Sequence, residues 1–284
     1  MKKLFSFFLL FPSFLYAQQQ NSLLWEISGK GLKQPSYVFG TYHLLTSTYV
    51  DSLPVIMQCM QKTRAVVGEM IVDGAVQQKV MDASVMKDSS LDQLMTPDDY
   101  KLVSAYFKEQ VGMEITLFNK MKPAVIGMLF YKPLMEKNKG TAMDIYFQEK
   151  GKENGKEVIG LETVDDQIRT LFGHTTLKRQ AEQLVKTVKE KDKTSGETAR
   201  MDSCYKRGDL DCLDKQLRES DSFSAEEWDQ LLNIRNRNWM KQIPALMKKR
   251  AVFIAVGAGH LPGNQGLLNL LRQQGYTVNV VPLH

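Results

Sequence analysis

The chain has 284 residues, 43% of them hydrophobic and 24% charged, with a formal net charge of +5. That length supports a sizeable core, and the lack of any long low-complexity run excludes a fibrous or disordered chain. Lys2 and Lys3 supply two of the positive charges; without them the chain is nearly balanced, and no nucleic-acid partner is expected.

Residues 1–17 read as a secretory signal peptide. Lys2 and Lys3 precede a short apolar run from Leu4 to Tyr16, and Ala17 is a small residue before polar Gln18, Gln19 and Gln20. The run is too short to span a bilayer comfortably, and no later stretch is apolar for long enough, so no stable membrane span is expected after its removal. Residues 18–284 are then an exported domain, periplasmic or secreted. In an oxidising compartment Cys204 and Cys212, which flank the turn-like Lys206-Arg207-Gly208-Asp209, are the expected disulfide. Cys59 is left over as a small buried residue.

Both ends of the chain read as strand-rich and the middle as helical. Tyr37 to Gly40 is a β-branched and aromatic strand, Leu53 to Met60 has helical spacing, and Ala65 to Gly68 is a second strand leading into Glu69. This alternation predicts a βαβ unit with parallel strands. Thr96-Pro97-Asp98-Asp99 opens a helix, with Thr as cap and Pro in the first turn. Glu157 to Leu161 is a short strand ending at Glu162, and Thr163 caps the next helix. Leu177–Lys191 and Ala225–Lys249 read as long helices. Ala251 to Val256 is a buried strand, followed by a glycine-rich loop, a helix ended by Gly275, and a last strand from Tyr276 to Val281. The fold class expected is α/β (α+β), a mixed sheet built from both chain ends with a large helical insertion over about residues 75–250.

Of the four histidines, two follow strands in one pattern, Gly40-Thr41-Tyr42-His43 and Gly257-Ala258-Gly259-His260. Glu69 and Glu162 also stand just past strands. Ligands bind outside the carboxyl ends of strands in open α/β sheets, so these four side chains meet on one rim if their strands run parallel. Neutral imidazole and carboxylate suit a divalent ion such as Zn, Mn, Co or Fe with an open position for water, one glutamate as ligand and the other as base. A hydrogen-bonded structural role for each histidine is the plain alternative. His174 reads as structural or surface, and His284 as terminal. No Gly-x-Ser-x-Gly elbow and no His-Glu-x-x-His is present, and the glycine spacing after Gly257 departs from a dinucleotide loop.

Together with Gly160-Leu161-Glu162-Thr163 and Gln167, with Asp144, and with Arg235-Asn236 ahead of Trp239, these motifs resemble the TraB/GumN family, grouped with the Tiki proteases and with erythromycin-esterase/ChaN-like proteins. The likeness runs over roughly Leu23 to Val281. The segment Lys122-Pro123-Ala124 departs from it, lacking the aromatic that relatives carry after the proline. The resemblance implies a metal site of His43, Glu69 and His260 in an exported metal-dependent hydrolase acting on a peptide or protein substrate. Glu162 and Arg235 would be base and oxyanion partner, and Asn236 would orient a ligand or cap the backbone. Bacterial members are linked to shutting down peptide signals, which binding alone also achieves. A non-catalytic peptide- or ligand-binding protein using the same cleft is therefore the alternative, and a metal- or haem-binding protein a third reading. The histidines are expected in a polar cleft rather than the core, so that His43→Ala and His260→Ala would each spare the fold. The sequence carries no signature of an oligomeric state.

Overall fold

A computed structural model of the chain describes residues 21–220 and 223–283. The segment read as a signal peptide, residues 1–17, and His284 lie outside the described residues. Among the described residues six strands form one sheet: β1 (Leu24–Ser28), β2 (Ser36–Thr41), β3 (Ala65–Gly68), β4 (Glu157–Gly160), β5 (Val252–Gly257) and β6 (Thr277–Val281). Their order is β4-β3-β5-β2-β1-β6. β2, β5, β3 and β4 run parallel, while β1 pairs antiparallel with both β2 and β6. The parallel βαβ crossover from β2 to β3 is as expected, but the two strands are not neighbours. β5, from the far end of the chain, lies between them, paired in register as Gly40 with Val256 and Thr41 with Gly257. All four parallel strands therefore end on one rim.

β2, β3 and β5 are continuous apolar runs and are buried, as parallel strands covered on both faces must be. Phe39, Phe253 and Phe147 pack with ring centroids between 5.1 and 6.4 Å apart. Each such side chain contributes about 1.5–3 kcal/mol through its burial. Phe147 belongs to the helix Met143–Glu153, which lies so close to the sheet that a Cβ on Gly151 would stand 2.9 Å from Val66 Cγ2. The helical insertion has a second core of its own around Phe107, Val103, Ile126 and Leu184. Its helix Pro97–Val111 starts as expected, with the Thr96 side chain accepting the Asp99 amide, and ends at Gly112 with φ 76°.

The segment Ala225–Lys249 is not one helix. A π-helical stretch, Asp229–Asn233, precedes the helix Ile234–Trp239, and the chain turns before restarting at Ile243–Lys249. Pro244 lacks the amide that a continuous helix would need, which places it in the first turn of the new one. Leu177–Lys191 likewise breaks at Glu190 and resumes as Lys191–Lys206. The Cys204–Cys212 disulfide is formed, with its Cα atoms 5.6 Å apart, and Cys59 is buried and free. Among the described residues no helix is long and apolar enough to cross a membrane.

Candidate active site

The shared rim gathers the strand-end residues. Glu69 follows β3 and Glu162 follows β4, and the Glu162 amide donates to the Glu69 carbonyl at 2.7 Å, so the two carboxylates leave the sheet side by side. Arg235 reaches over them from the helix Ile234–Trp239. Its Nε and Nη2 donate to the two Glu162 oxygens at 2.9 and 3.0 Å, and Nη2 also donates to Glu69 Oε2 at 2.5 Å. Gln167 Nε2 donates to both glutamates, at 3.1 Å to Glu69 and 3.0 Å to Glu162. Trp239, one turn after Arg235, donates Nε1 to Glu162 Oε1 at 2.8 Å. Both Glu162 oxygens are thus already engaged by several donors. Such a carboxylate anchors a guanidinium; it is poorly placed to collect a proton.

His260 is buried at 3% exposure, against the expectation of a polar cleft. Its loop turns back as a single 3-10 turn, Ala258–His260, packed against Leu217 and Leu232 of the helical insertion. Nδ1 lies 2.7 Å from Asn236 Oδ1, an acceptor, which puts the proton on Nδ1 and leaves a lone pair on Nε2. Asn236 also donates to the carbonyls of His260 at 3.1 Å and Gln265 at 2.8 Å, and so fixes ring and loop together. Arg235 Nη1 sits 3.1 Å from His260 Nε2 and takes up that lone pair. Burial, assisted by Arg235 and opposed by Glu69, pushes the imidazole pKa down to about 3.

Burial alone would raise the Glu69 carboxyl, but the groups facing it, His260, Arg235 and the Gly257 amide, hold it well below the usual carboxylate range. Since His260 is neutral at neutral pH, Arg235 and the 2.9 Å bond from the Gly257 amide carry that lowering. Glu69 Oε1 stands 3.8 Å from His260 Nε2.

His43 is different. Its side chain is 77% exposed, and Nδ1 stands 3.3 Å from Asp144 Oδ2. Asp144, in the first turn of Met143–Glu153, is itself held by the Thr41 hydroxyl at 2.8 Å. The hydrogen bond to Asp144, aided by the charge of the same carboxylate, raises the His43 pKa to about 9. His43, Glu69 and Asp144 line a cleft of about 740 Å³ whose other walls include Met70, Met128 and Met135. A second cavity of about 370 Å³ shares Met128, Tyr131 and Leu171 with it, and the exposed His174 lines this second cavity.

Among the described residues no three His, Cys, Asp or Glu side chains stand together as a ready ion site. The donors nevertheless suit a divalent ion in kind. Both imidazoles have Nδ1 engaged by an oxygen, the backing usual behind metal-bound histidines. Two carboxylates, Glu69 and Glu162, also face one fixed cation, Arg235. Sequence reasoning placed Asp144, Gln167 and Trp239 near the motifs without giving them a role. Trp239 follows Arg235 by four residues, one helical turn, and that spacing is a readable signal; nothing local marks Asp144 as the partner of His43.

A model of the TraB/PrgY/gumN family matches residues 23–280. The chain is 24% identical over 323 aligned positions to a Danio rerio protein named Metalloprotease TIKI2, an alignment covering 93% of this chain and 62% of that protein. It is 23% identical over 317 positions to Metalloprotease TIKI1 of the same fish, covering 92% and 63%. It therefore spans less than two thirds of the length of these relatives. With nearly all of its described length matched, the chain belongs to the TraB/PrgY/gumN family.

Proposed function

We propose that this chain is an exported hydrolase that cleaves peptide bonds, with His43, Glu69 and His260 as the residues that hold a divalent ion, Mn, Co or Zn. The observation that carries the reading is that His43 and Glu69 line one large, mostly apolar cleft while the buried His260 stands behind Glu69, its Nε2 3.8 Å from Glu69 Oε1. The two relatives named as metalloproteases support it. Bound there, the ion would supply an acidified water and a Lewis acid for the scissile carbonyl.

The protein's own groups divide the remaining work. Asn236 holds His260 in the tautomer whose Nε2 carries the lone pair, which Arg235 would have to yield to an ion. Glu69 stays ionised at neutral pH. Arg235 carries a permanent charge, reinforced by Glu69 and Glu162 against the cost of burial, and is suited to stabilise a developing oxyanion. Glu162 acts by anchoring Arg235. Its engaged oxygens favour that role over general base. His43 keeps its proton up to about pH 9, so ion and proton compete for its ring and affinity for the ion rises with pH.

The close pairing of Arg235 with both Glu69 and His260 supports a second reading, a peptide-binding protein that uses the cleft without cleavage. The decisive experiment is elemental analysis of the purified chain, with cleavage of a mixed peptide library before and after chelation and with Mn, Co or Zn restored. Metal-dependent cleavage that is lost in Glu69→Gln supports the hydrolase. Retention of bound peptides with no cleavage under any ion supports the binding protein.

A further inference from the structure

The two Gly-x-x-His loops are supported from beneath by one disulfide-linked pair of helices. Tyr205, near the end of Lys191–Lys206, is fully buried, and its hydroxyl donates to the Gly40 carbonyl at 2.7 Å. Its ring stacks on Tyr42 with centroids 4.9 Å apart and leans on Tyr49 at 5.5 Å. The same hydroxyl lies 3.5 Å from Met143 Sδ, on the residue before Asp144. One side chain therefore touches the first and third residues of the motif that ends in His43, and the helix start that carries its carboxylate partner. Phenylalanine would fill the same core space; the hydroxyl is buried at a cost unless bonded, and its partner is the strand-end carbonyl that begins the loop.

The next helix, Leu210–Glu219, supports the other loop. A Cβ on Gly259 would stand 3.1 Å from Leu217 Cδ1. The two loops also touch one another, since a Cβ on Gly40 would stand 3.0 Å from the Ala258 Cα. Cys204, beside Tyr205, is bridged to Cys212 across the turn between these helices. That turn takes Gly208 to φ 65°, where a Cβ would stand 2.9 Å from the Ser22 Cα.

We propose that Tyr205 is a positioning residue for the candidate site: its hydroxyl and ring set the first Gly-x-x-His loop, and the Cys204–Cys212 bridge keeps that loop in register with the helix supporting the second. The idea rests on reading these loops as the site, but its test needs no substrate. Hydrogen exchange read by mass spectrometry is compared among the oxidised full chain, Tyr205→Phe and the double variant Cys204→Ala/Cys212→Ala. In Tyr205→Phe, exchange over residues 40–46 is expected to rise about tenfold, while the helix Pro97–Val111, on its separate core, keeps its protection. The double variant should raise exchange over both 40–46 and 257–261. Unchanged exchange at 40–46 in Tyr205→Phe overturns the proposal. So does a uniform rise that includes the helix Pro97–Val111, because that reports only lost global stability. Failure to find peptide cleavage with any ion would count against the hydrolase reading and leave this exchange result standing.

Discussion

His43 and His260 end the same four-residue pattern on neighbouring parallel strands, yet they sit at opposite electrostatic extremes. His260 is closed in by Trp239, Asn236 and Arg235 and stays neutral down to about pH 3. His43 opens to the cleft beside Asp144 and holds a proton up to about pH 9. Local sequence places an imidazole at a strand end; what packs around it afterwards decides whether it carries a charge. The pair thus sets a buried neutral imidazole, its Nε2 lone pair engaged by Arg235, against an exposed, exchangeable proton at one rim.

The buried half is the more vulnerable. Arg235→Ala would leave Glu69 and Glu162 as unpaired buried carboxylates and should cost about 3–5 kcal/mol in denaturant unfolding. Arg235→Lys should recover little of it, because an ammonium cannot reproduce the forked bonds to Glu162. If Arg235→Ala unfolds like the parent, the cluster is not a structural anchor.

The contrast sharpens with the histidines themselves. His260→Ala should destabilise by about 2 kcal/mol, since it empties a packed site against Trp239 and strips Asn236 Oδ1 of its donor. His43→Ala should stay within about 0.5 kcal/mol of the parent. Equal losses in the two would break the distinction drawn between the loops.

Acid separates them further. The folded pKa of His260 lies below its unfolded value of 6.5, so its contribution is present above pH 6.5 and is lost as pH falls towards about 3. Within that window stability should fall steadily as pH falls, because the unfolded chain binds a proton that the folded one does not. Glu69, also depressed, adds to the loss below its ordinary range. His43 has the opposite sign: its small, solvent-screened contribution is present below pH 6.5 and fades as pH rises through about 9. Unfolding curves between pH 7.5 and pH 4 should show the decline, and His260→Asn should flatten it.

The smallest expected change is Asp144→Asn, which should return the His43 pKa from about 9 towards its ordinary value and leave stability almost unaltered. NMR titration of the His43 ring protons reads this directly. A pKa that stays near 9 would assign the shift to another charge.

Much of this site was legible before folding. Glycine after a β-branched run, then histidine or glutamate, marks the place where a parallel strand leaves the sheet, and Glu69, Glu162, His43 and His260 were found that way. Arg235 and Asn236 sit on a helix far along the chain and came into view only through likeness to a family. The long helix expected over Ala225–Lys249 failed at Pro244 and at the π-helical stretch, whose extra residue per turn no hydrophobic period reveals.

By itself the sequence determined the strand ends, the caps at Thr96 and Thr163, the bridged cysteines and the chemistry of the donors, because each depends on neighbours a few residues away. Only the tertiary structure decided that β5 enters between β2 and β3, that Arg235 lies across Glu69, Glu162 and His260, and that Asp144 rather than Glu69 charges His43. Those outcomes depend on side chains from 25 to 166 residues apart, which meet because the core buries their strands and helices together, and a protonation state follows the partners that a group meets there.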